Sequence, residues 1–295
     1  YSYEQASEWG PDAYTEELQK AKERLDIPVI ANVLCMVETN WSPYITTIQE
    51  AADAIEVNIS CPHGSVTFKG DEVERTILRI AESIVSIATV PIIVKLSPQL
   101  SQPFAMVKEL ERIGVQGVTL FNRLTGLDID IETQQPVMHQ GYAGHGGPWA
   151  IQYPLRWISA IAPHTGLDIS ASGGVVHADD VVKYLLAGAQ TVQICTAIYM
   201  DGYEVLRDLN QGLSAYMERK GCETIQDFRG AIQGRIKEMA EIDRRHRMVA
   251  QIESRGTPPC RAACPIDQEA QGYITLIRER KYRQALELIR RNNPF

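Results

Sequence analysis

The regular alternation of short apolar runs with amphipathic segments constrains the fold of this 295-residue chain more than any other feature. Alternation of strand and helix at this spacing indicates a parallel sheet, and the mostly apolar strands indicate that both of its faces are covered. We predict strands at 27–33, 54–59, 90–96, 115–121, 167–172 and 191–197, and helices at 13–25, 43–53, 71–88, 104–113, 150–162 and 178–188.

These six βα units fit either a (β/α)₈ barrel with two units missing or an open, doubly wound sheet. Barrel enzymes assemble their sites from the C-terminal ends of many strands, whereas an open sheet concentrates its site at one switch point. Polar or glycine residues stand at or soon after the C-terminal end of nearly every strand here: Glu38, Asn58, Cys61, Lys95, Asn122, Arg123, Gly173, Gly174 and Thr196. We therefore predict an α/β fold, a TIM barrel with two of its βα units missing from this sequence.

The amino-acid composition of the chain changes after residue 235. Segment 236–258 is charged and then Pro-rich, which is typical of a linker, and segment 259–295 carries two cysteines followed by two short amphipathic helices. We predict a barrel at 1–235, a linker at 236–258 and the start of a second, helical unit at 259–295. The chain begins at Tyr1 without an initiator methionine, and we interpret it as a piece of a longer polypeptide.

The overall charge and composition exclude several classes of partner. A net charge of −8 argues against nucleic acid, because phosphate binding needs a basic surface. No long apolar stretch predicts a transmembrane helix, and no signal peptide is visible. Four of the six cysteines are scattered, so we expect a reducing, cytoplasmic setting.

Cys61 lies in the stretch "NISCPHG", directly after a predicted strand. A thiol can act as a general acid or base when it is exposed in a cleft, and Pro62 restricts the backbone of the residue before it. A lone strand-end cysteine is more often a buried structural residue. The presence of Asn58, Ser60 and His63 around it favours the catalytic interpretation.

Lys95 ends the strand "IIVKL" and is either an edge charge or a site cation that stabilises negative charge, for instance on a reduced flavin. Gly173, Gly174 and Thr196 follow the last two strands, where barrels commonly bind phosphate. The alternative for the glycines is an ordinary tight turn.

Cys260 and Cys264 form a C-x₃-C-P motif that matches the end of a ferredoxin-type cysteine run. An iron–sulfur cluster needs about four ligands. The alternative is a pair of unrelated cysteines.

Several motifs together resemble the soluble dihydroorotate dehydrogenases and the pyrimidine-reducing domain of dihydropyrimidine dehydrogenase. They are "VNISCPHG", "IIVKLSP", "GYAGHGGPWAIQYPLRWISAI", "ISASGGVVHADDVVKYLLAGAQTVQICTAIY" and "ERKGCETIQDFRG". The resemblance runs from about residue 10 to 235 and implies that the first two βα units of the barrel are the ones missing from this sequence. It implies an FMN-containing barrel that oxidises or reduces a C–C bond of a small molecule.

The resemblance also implies roles for individual residues. Cys61 matches the catalytic base or acid, Asn58 and Asn122 match residues that hold the pyrimidine, and Lys95 matches the lysine near the flavin ring. Asn122 is expected to contact the cofactor as well. The flavin and phosphate loops are matched by Gly146, Gly147, Gly173, Gly174, Cys195 and Thr196.

Two positions depart from the family pattern. Arg123 stands where the family has serine or threonine, and Glu38 is the nearest match to a substrate asparagine. We predict that both bind substrate, since a guanidinium suits a carboxylate or phosphate. Glu38 either pairs with Arg123 across the pocket or meets a donor on the substrate.

The tail resembles the start of the iron–sulfur domain in the small subunit of glutamate synthase. This implies a cluster, of the 4Fe–4S type, with Cys260 and Cys264 as part of the ligand set, and FAD and NAD(P)H on a further domain or partner subunit. Electrons would pass between NAD(P)H and FMN in an oligomeric enzyme. The alternatives are a non-catalytic flavin scaffold and a flavin-free, aldolase-like barrel in which Lys95 forms a Schiff base.

Overall fold

The structure, a computed structural model, describes residues 2–3, 9–35, 37–59, 72–137, 142–237, 239–242, 264–266, 268–278 and 280–293. The chain divides into two compact units, Tyr1–Arg247 and Met248–Phe295. The division falls inside the predicted linker 236–258.

The first unit contains the strands β1 (Ser2–Tyr3), β2 (Ile30–Val33), β3 (Ala54–Asn58), β4 (Ile92–Leu96), β5 (Gly117–Leu120), β6 (Leu124–Gly126), β7 (Ile129–Asp130), β8 (Gln135–Pro136), β9 (Ala143–His145), β10 (Asp168–Ser172) and β11 (Thr191–Gln193). Its helices are α1 (Pro11–Arg24), α2 (Trp41–Ile48), α3 (Glu72–Val85), α4 (Pro103–Ile113), α5 (Gln152–Ile161), α6 (Ala178–Ala187), α7 (Thr196–Asp201) and α8 (Glu204–Lys220).

Six parallel strands form the main sheet, in the order β11-β10-β5-β4-β3-β2. All six lie within the predicted runs, and the predicted helices between them are present. In a flat sheet β3 and β11 would stand about 19 Å apart, four spacings of ~4.8 Å. Side chains of the two strands nevertheless share a hydrogen bond, Gln193 Nε2 to Glu56 Oε2, so the sheet is curled. The barrel-type α/β fold predicted from the sequence is confirmed.

The hydrophobic core lies between the sheet and its helices. Along β3, Ile55 and Val57 are fully buried on the helix side, and Val94 of β4 and Val118 of β5 continue the same layer. Helix α3 faces this layer with one apolar stripe, Ile77, Ile80, Ala81 and Ile84, at the spacing of an amphipathic helix. This packing fixes the opposite side chains of each strand toward the inside of the curl.

The segment between β5 and α5 holds structure that the sequence analysis missed. Strands β1, β9 and β6 form a small antiparallel sheet, and β7 pairs with β8. We call residues 123–126 and 142–147 the arm. Helices α7 and α8 were also not predicted.

The second unit contains α9 (Ala270–Arg278) and α10 (Tyr282–Asn292), the two short helices expected there. A Cβ at Gly272 would lie 2.7 Å from Leu288 Cδ2, so the glycine permits close packing of the pair. Within the described part of the chain, no helix is long and apolar enough to cross a membrane.

Candidate active site

A cavity of about 1110 Å³ opens at the C-terminal ends of the parallel strands. This is large enough for a cofactor together with a small substrate, since typical ligand pockets measure roughly 300–1,000 Å³. Nine of the residues predicted for the site line it: Asn58, Lys95, Asn122, Arg123, Gly146, Gly173, Gly174, Cys195 and Thr196.

Other predicted residues lie elsewhere. Glu38 is half exposed and forms a bidentate ion pair with Arg79, with Nε–Oε1 and Nη2–Oε2 distances of 2.7 and 2.9 Å. Glu38 is not among the residues that line the cavity, and the cation that it contacts is Arg79 of α3. Gly147 also does not line the cavity and turns toward the Trp149 ring instead. Cys61 and Cys260 lie outside the described residues.

A hydrogen-bonded polar network forms what we call the floor of the cavity. It consists of Asn32, Glu56, Lys95, Thr119 and Gln193, one side chain from each of β2, β3, β4, β5 and β11. Glu56 is its centre. Its Oε1 accepts from Asn32 Nδ2 at 2.5 Å and from Lys95 Nζ at 3.1 Å, and its Oε2 accepts from Thr119 Oγ1 at 2.5 Å and from Gln193 Nε2.

The electrostatic environment keeps Glu56 ionised. Burial alone would raise the pKa of this carboxyl, which is only 5% exposed. The charge of Lys95 and the hydrogen bonds from Thr119, Gln193 and Lys95 outweigh that effect, and the pKa lies below its ordinary value. The floor therefore contains one buried carboxylate and one largely buried ammonium.

Lys95 points from β4 into the cavity and is held from two sides. Its Nζ donates to Glu56 Oε1 and, at 2.7 Å, to Gln193 Oε1. An ammonium has three donors. Within the described part of the chain two of them are engaged, and the third remains for a ligand above the floor.

Asn58 and Asn122 follow next above the floor. Asn122 Nδ2 donates to Asn58 Oδ1 at 2.8 Å, and Asn122 Oδ1 accepts from the backbone N–H of Arg123 at 2.8 Å. These contacts fix the orientation of both amides at the ends of β3 and β5. Two oriented amides give the cavity wall both donors and acceptors for a flat polar ring.

Gly146, Gly173, Gly174 and Thr196 line the corner of the cavity beyond β10 and β11. Gly174 has φ +74°, and a Cβ there would lie 2.5 Å from the backbone nitrogen of Ile151. A Cβ at Gly146 would lie 3.2 Å from Thr196 Oγ1. The Tyr184 hydroxyl donates to the Gly173 carbonyl at 2.6 Å and anchors the loop. Backbone brought close without side chains, beside a hydroxyl, suits a phosphate group.

The arm forms the rim of the cavity. The side chain of Arg123 lies directly over Gly144. A Cβ built on Gly144 would lie 1.9 Å from Arg123 Cδ and 2.0 Å from Arg123 Nε. The His145 ring lies over Gly126 in the same way, since a Cβ built on Gly126 would lie 2.7 Å from His145 Cδ2. Both side chains line the cavity. Gly144 thus leaves room for the guanidinium side chain of Arg123, and Gly126 leaves room for the imidazole of His145.

These features define a class of protein: a barrel enzyme that holds a phosphate-bearing, planar cofactor above a buried cation. The model of the family described as dihydroorotate dehydrogenase matches residues 6–217. The chain belongs to the dihydroorotate dehydrogenase family.

Several catalytic subunits of dihydroorotate dehydrogenase B (NAD(+)) are similar to this chain. The Pyrococcus abyssi protein is 29% identical over 226 residues, covering 75% of this chain and 74% of its own. The Methanothermobacter thermautotrophicus protein is 32% identical, with 75% and 73% covered. The Listeria innocua protein is 33% identical over 213 residues, with 70% and 69% covered.

Family membership confirms the resemblance seen in the motifs. The chain is an FMN-dependent oxidoreductase acting on CH–CH groups. The residues present fit this cofactor, because the glycine corner suits its phosphate and Lys95 would face the ring system. Membership of the dihydroorotate dehydrogenase family removes the support for the aldolase-like alternative.

Sequence reasoning missed most of the floor and part of the rim. Glu56 was treated as part of an apolar strand, and Gln193, Thr119 and Asn32 were not singled out. An acid inside a buried apolar run is itself a signal, because such residues are almost never buried unless paired. His145 of the rim was not among the predicted site residues.

Proposed function

We propose that the chain oxidises dihydroorotate to orotate at its CH–CH bond and passes the electrons through FMN to a partner subunit that reduces NAD⁺. The relatives carry the names of dihydroorotate and NAD(+) and are called catalytic subunits. The observation that carries the proposal is Arg123 at the cavity rim, beside Asn122. Dihydroorotate bears a carboxylate that a guanidinium can bind with two parallel hydrogen bonds.

Each residue then has a task. Arg123 binds the substrate carboxylate, and Asn58 and Asn122 hydrogen-bond the ring and orient it. Cys61 would take one proton on its Sγ from one ring carbon. Bound FMN would supply the acceptor for the hydride of the neighbouring carbon. The loss of both leaves the C=C bond of the product. Gly146, Gly173, Gly174 and Thr196 hold the cofactor phosphate, and Lys95 stabilises negative charge near the ring.

The decisive experiment is anaerobic reduction of the FMN-loaded enzyme by two substrates that differ only in the carboxylate. Dihydroorotate should bleach the flavin absorption, and 5,6-dihydrouracil should do so much more slowly. Arg123→Ser should lower the efficiency with dihydroorotate about 30-fold, about 2 kcal/mol, at the low end of the range for removing one partner of a charge pair. Its effect on dihydrouracil should be small.

Arg112→Ser is the matched control, because Arg112 is an exposed arginine paired with Glu109 on α4. It should behave as wild type with both substrates. Equal reduction by dihydrouracil and dihydroorotate, unchanged in Arg123→Ser, would show that the carboxylate is not recognised here and that the substrate is a neutral pyrimidine.

The role of Cys61 has its own test. Cys61→Ala should leave FMN bound and slow flavin reduction by dihydroorotate about 10²–10⁴-fold, the usual contribution of a general acid or base. Stopped-flow absorbance measures this directly. A loss of less than about threefold, far below that range, would assign Cys61 a structural role.

We infer further that segment 259–295 takes part in electron transfer, with Cys260 and Cys264 as two ligands of an iron–sulfur cluster. The C-x₃-C-P spacing and the resemblance of the tail support this. Iron and sulfide analysis of the full-length protein, with and without Cys264→Ser, tests it. Iron content unaffected by the substitution would remove Cys264 from the ligand set.

A further inference from the structure

We propose that Glu56 is a positioning residue: it fixes Lys95 at the cavity floor and, through Lys95, sets the charge that the bound flavin experiences. The proposal rests on the assignment of FMN to this cavity. Glu56 of β3 would influence the cofactor through Lys95 and not through its own charge alone. The carboxylate acts by deciding where the ammonium lies and how much of its charge is offset.

The first argument is geometric. Lys95 carries a long, flexible side chain that could adopt many conformations in a cavity of about 1110 Å³. Glu56 Oε1 and Gln193 Oε1 hold its Nζ at 3.1 and 2.7 Å. Gln193 is itself tied to Glu56 by its Nε2. Both anchors of the ammonium therefore depend on the position of one carboxylate.

The second argument concerns the anchoring of Glu56. Four donors from four other strands converge on its two oxygens, so the carboxylate cannot rotate without breaking several hydrogen bonds at once. Thr119, one of these donors, is fully buried and lies outside the cavity lining. A carboxylate held this firmly transmits the rigidity of the sheet to the tip of Lys95.

The third argument concerns charge. The side chains of Lys95 and Glu56 are 14% and 6% exposed, so little solvent screens them. Together they are formally neutral. A lysine alone would present a full positive charge to the ring, which favours the reduced, more negative cofactor over the oxidised one. Glu56 moderates that preference.

The test is the midpoint potential of bound FMN in the full-length enzyme, measured by reductive titration against a reference dye. Glu56→Gln keeps the shape of the side chain and removes its charge. The reduced flavin should then bind at least tenfold more tightly relative to the oxidised flavin, which is a rise of about 30 mV for a two-electron couple. Glu111→Gln, at an exposed ion pair on α4, is the matched control and should leave the potential unchanged.

Two further variants make the result decisive. In a Lys95→Met background, Glu56→Gln should change the ratio of reduced to oxidised flavin affinity less than threefold, because no ammonium remains for Glu56 to position or to offset. An equal shift in both backgrounds would show that Glu56 acts on the cofactor directly and would overturn the proposal. If Glu56→Gln does not fold, Glu56→Asp retains the charge but withdraws it from Lys95, and should raise the potential by a smaller amount.

An unchanged potential in whichever of these two variants folds with FMN bound would also overturn the proposal. No substrate enters this titration, so its outcome does not depend on dihydroorotate. Failure of the wild-type chain to bind FMN at all would instead contradict the proposed function.

Discussion

The floor and the rim of the same cavity are built in opposite ways. At the floor, five strands each contribute one polar side chain, and these hydrogen-bond to one another in a buried network around Glu56. At the rim, Arg123 is exposed and rests over Gly144, on short antiparallel strands outside the main sheet. The floor is part of the barrel, whereas the rim is attached to it.

This difference separates two tasks. Groups that meet the cofactor gain from a rigid frame, because electrostatic stabilisation requires donors and charges that are already in place. Groups that choose the substrate can lie on a loop that varies without disturbing the packed layers. We therefore expect substitutions at the floor to cost stability and substitutions at the rim to cost selectivity.

The largest expected effect is on stability, at Lys95. Lys95→Met leaves the Glu56 carboxylate buried without its cation and should lower the free energy of unfolding by about 3–5 kcal/mol, the usual cost of breaking a buried pair. Urea unfolding followed by circular dichroism measures this. Lys108→Met, at an exposed pair with Glu111, is the control and should change little.

Arg123→Met at the rim completes that comparison. It should unfold like wild type while losing its preference for dihydroorotate over dihydrouracil. If Lys95→Met proved as stable as Lys108→Met, or Arg123→Met as unstable as Lys95→Met, the division into a structural floor and a selective rim would fail.

A smaller effect is expected at Gly144. An alanine Cβ there would collide with the flexible part of Arg123, which can move away at little cost to the fold. Gly144→Ala should therefore reduce the ratio of dihydroorotate to dihydrouracil efficiency about tenfold, about 1.4 kcal/mol, with a nearly unchanged unfolding midpoint. Gly10→Ala, where nothing lies within 4 Å, is the control. Retained selectivity would mean that the Arg123 position is set by other contacts.

The smallest effect is a pH dependence of the floor. The lowered pKa of Glu56 means that its ionised form stabilises the fold above about pH 4.3, the unfolded-state value. This contribution is lost as the pH falls through the lower folded pKa. The stability difference between wild type and Glu56→Gln should shrink by about 1.4 kcal/mol for each pH unit of that shift when unfolding is measured from pH 5 to pH 3.

The sequence was sufficient to predict the strands and most of the helices of the barrel. Apolar β-branched runs and amphipathic stripes such as that of α3 are local signals, and they matched the structure within a few residues. The arm was not predictable in the same way. Its strands are only three residues long, and they are stabilised by pairing across separate chain segments, as Leu124 with His145.

The site residues also divide into those that local sequence reveals and those that depend on distant parts of the chain. Residues at or just after strand ends, such as Lys95 and Asn122, were found because their position along a strand reveals their place in a barrel. Glu56 was missed because its partners Thr119 and Gln193 lie 63 and 137 residues away. Periodicity shows which side of a strand a residue occupies, but not which other strands the curl of the sheet brings opposite to it.

The Glu56 carboxylate, which hydrogen-bonds to the other four floor residues, also limits how this enzyme can be redesigned. Replacing one of the five side chains leaves a donor, an acceptor or a charge on another strand without its counterpart, so single steps are expected to be deleterious even when a double change would be tolerated. Combinatorial libraries that vary β3, β4 and β11 together have a route around this barrier. At the rim the close contact is between Arg123 and Gly144, so saturation mutagenesis of these two positions together should suffice to search for new substrates.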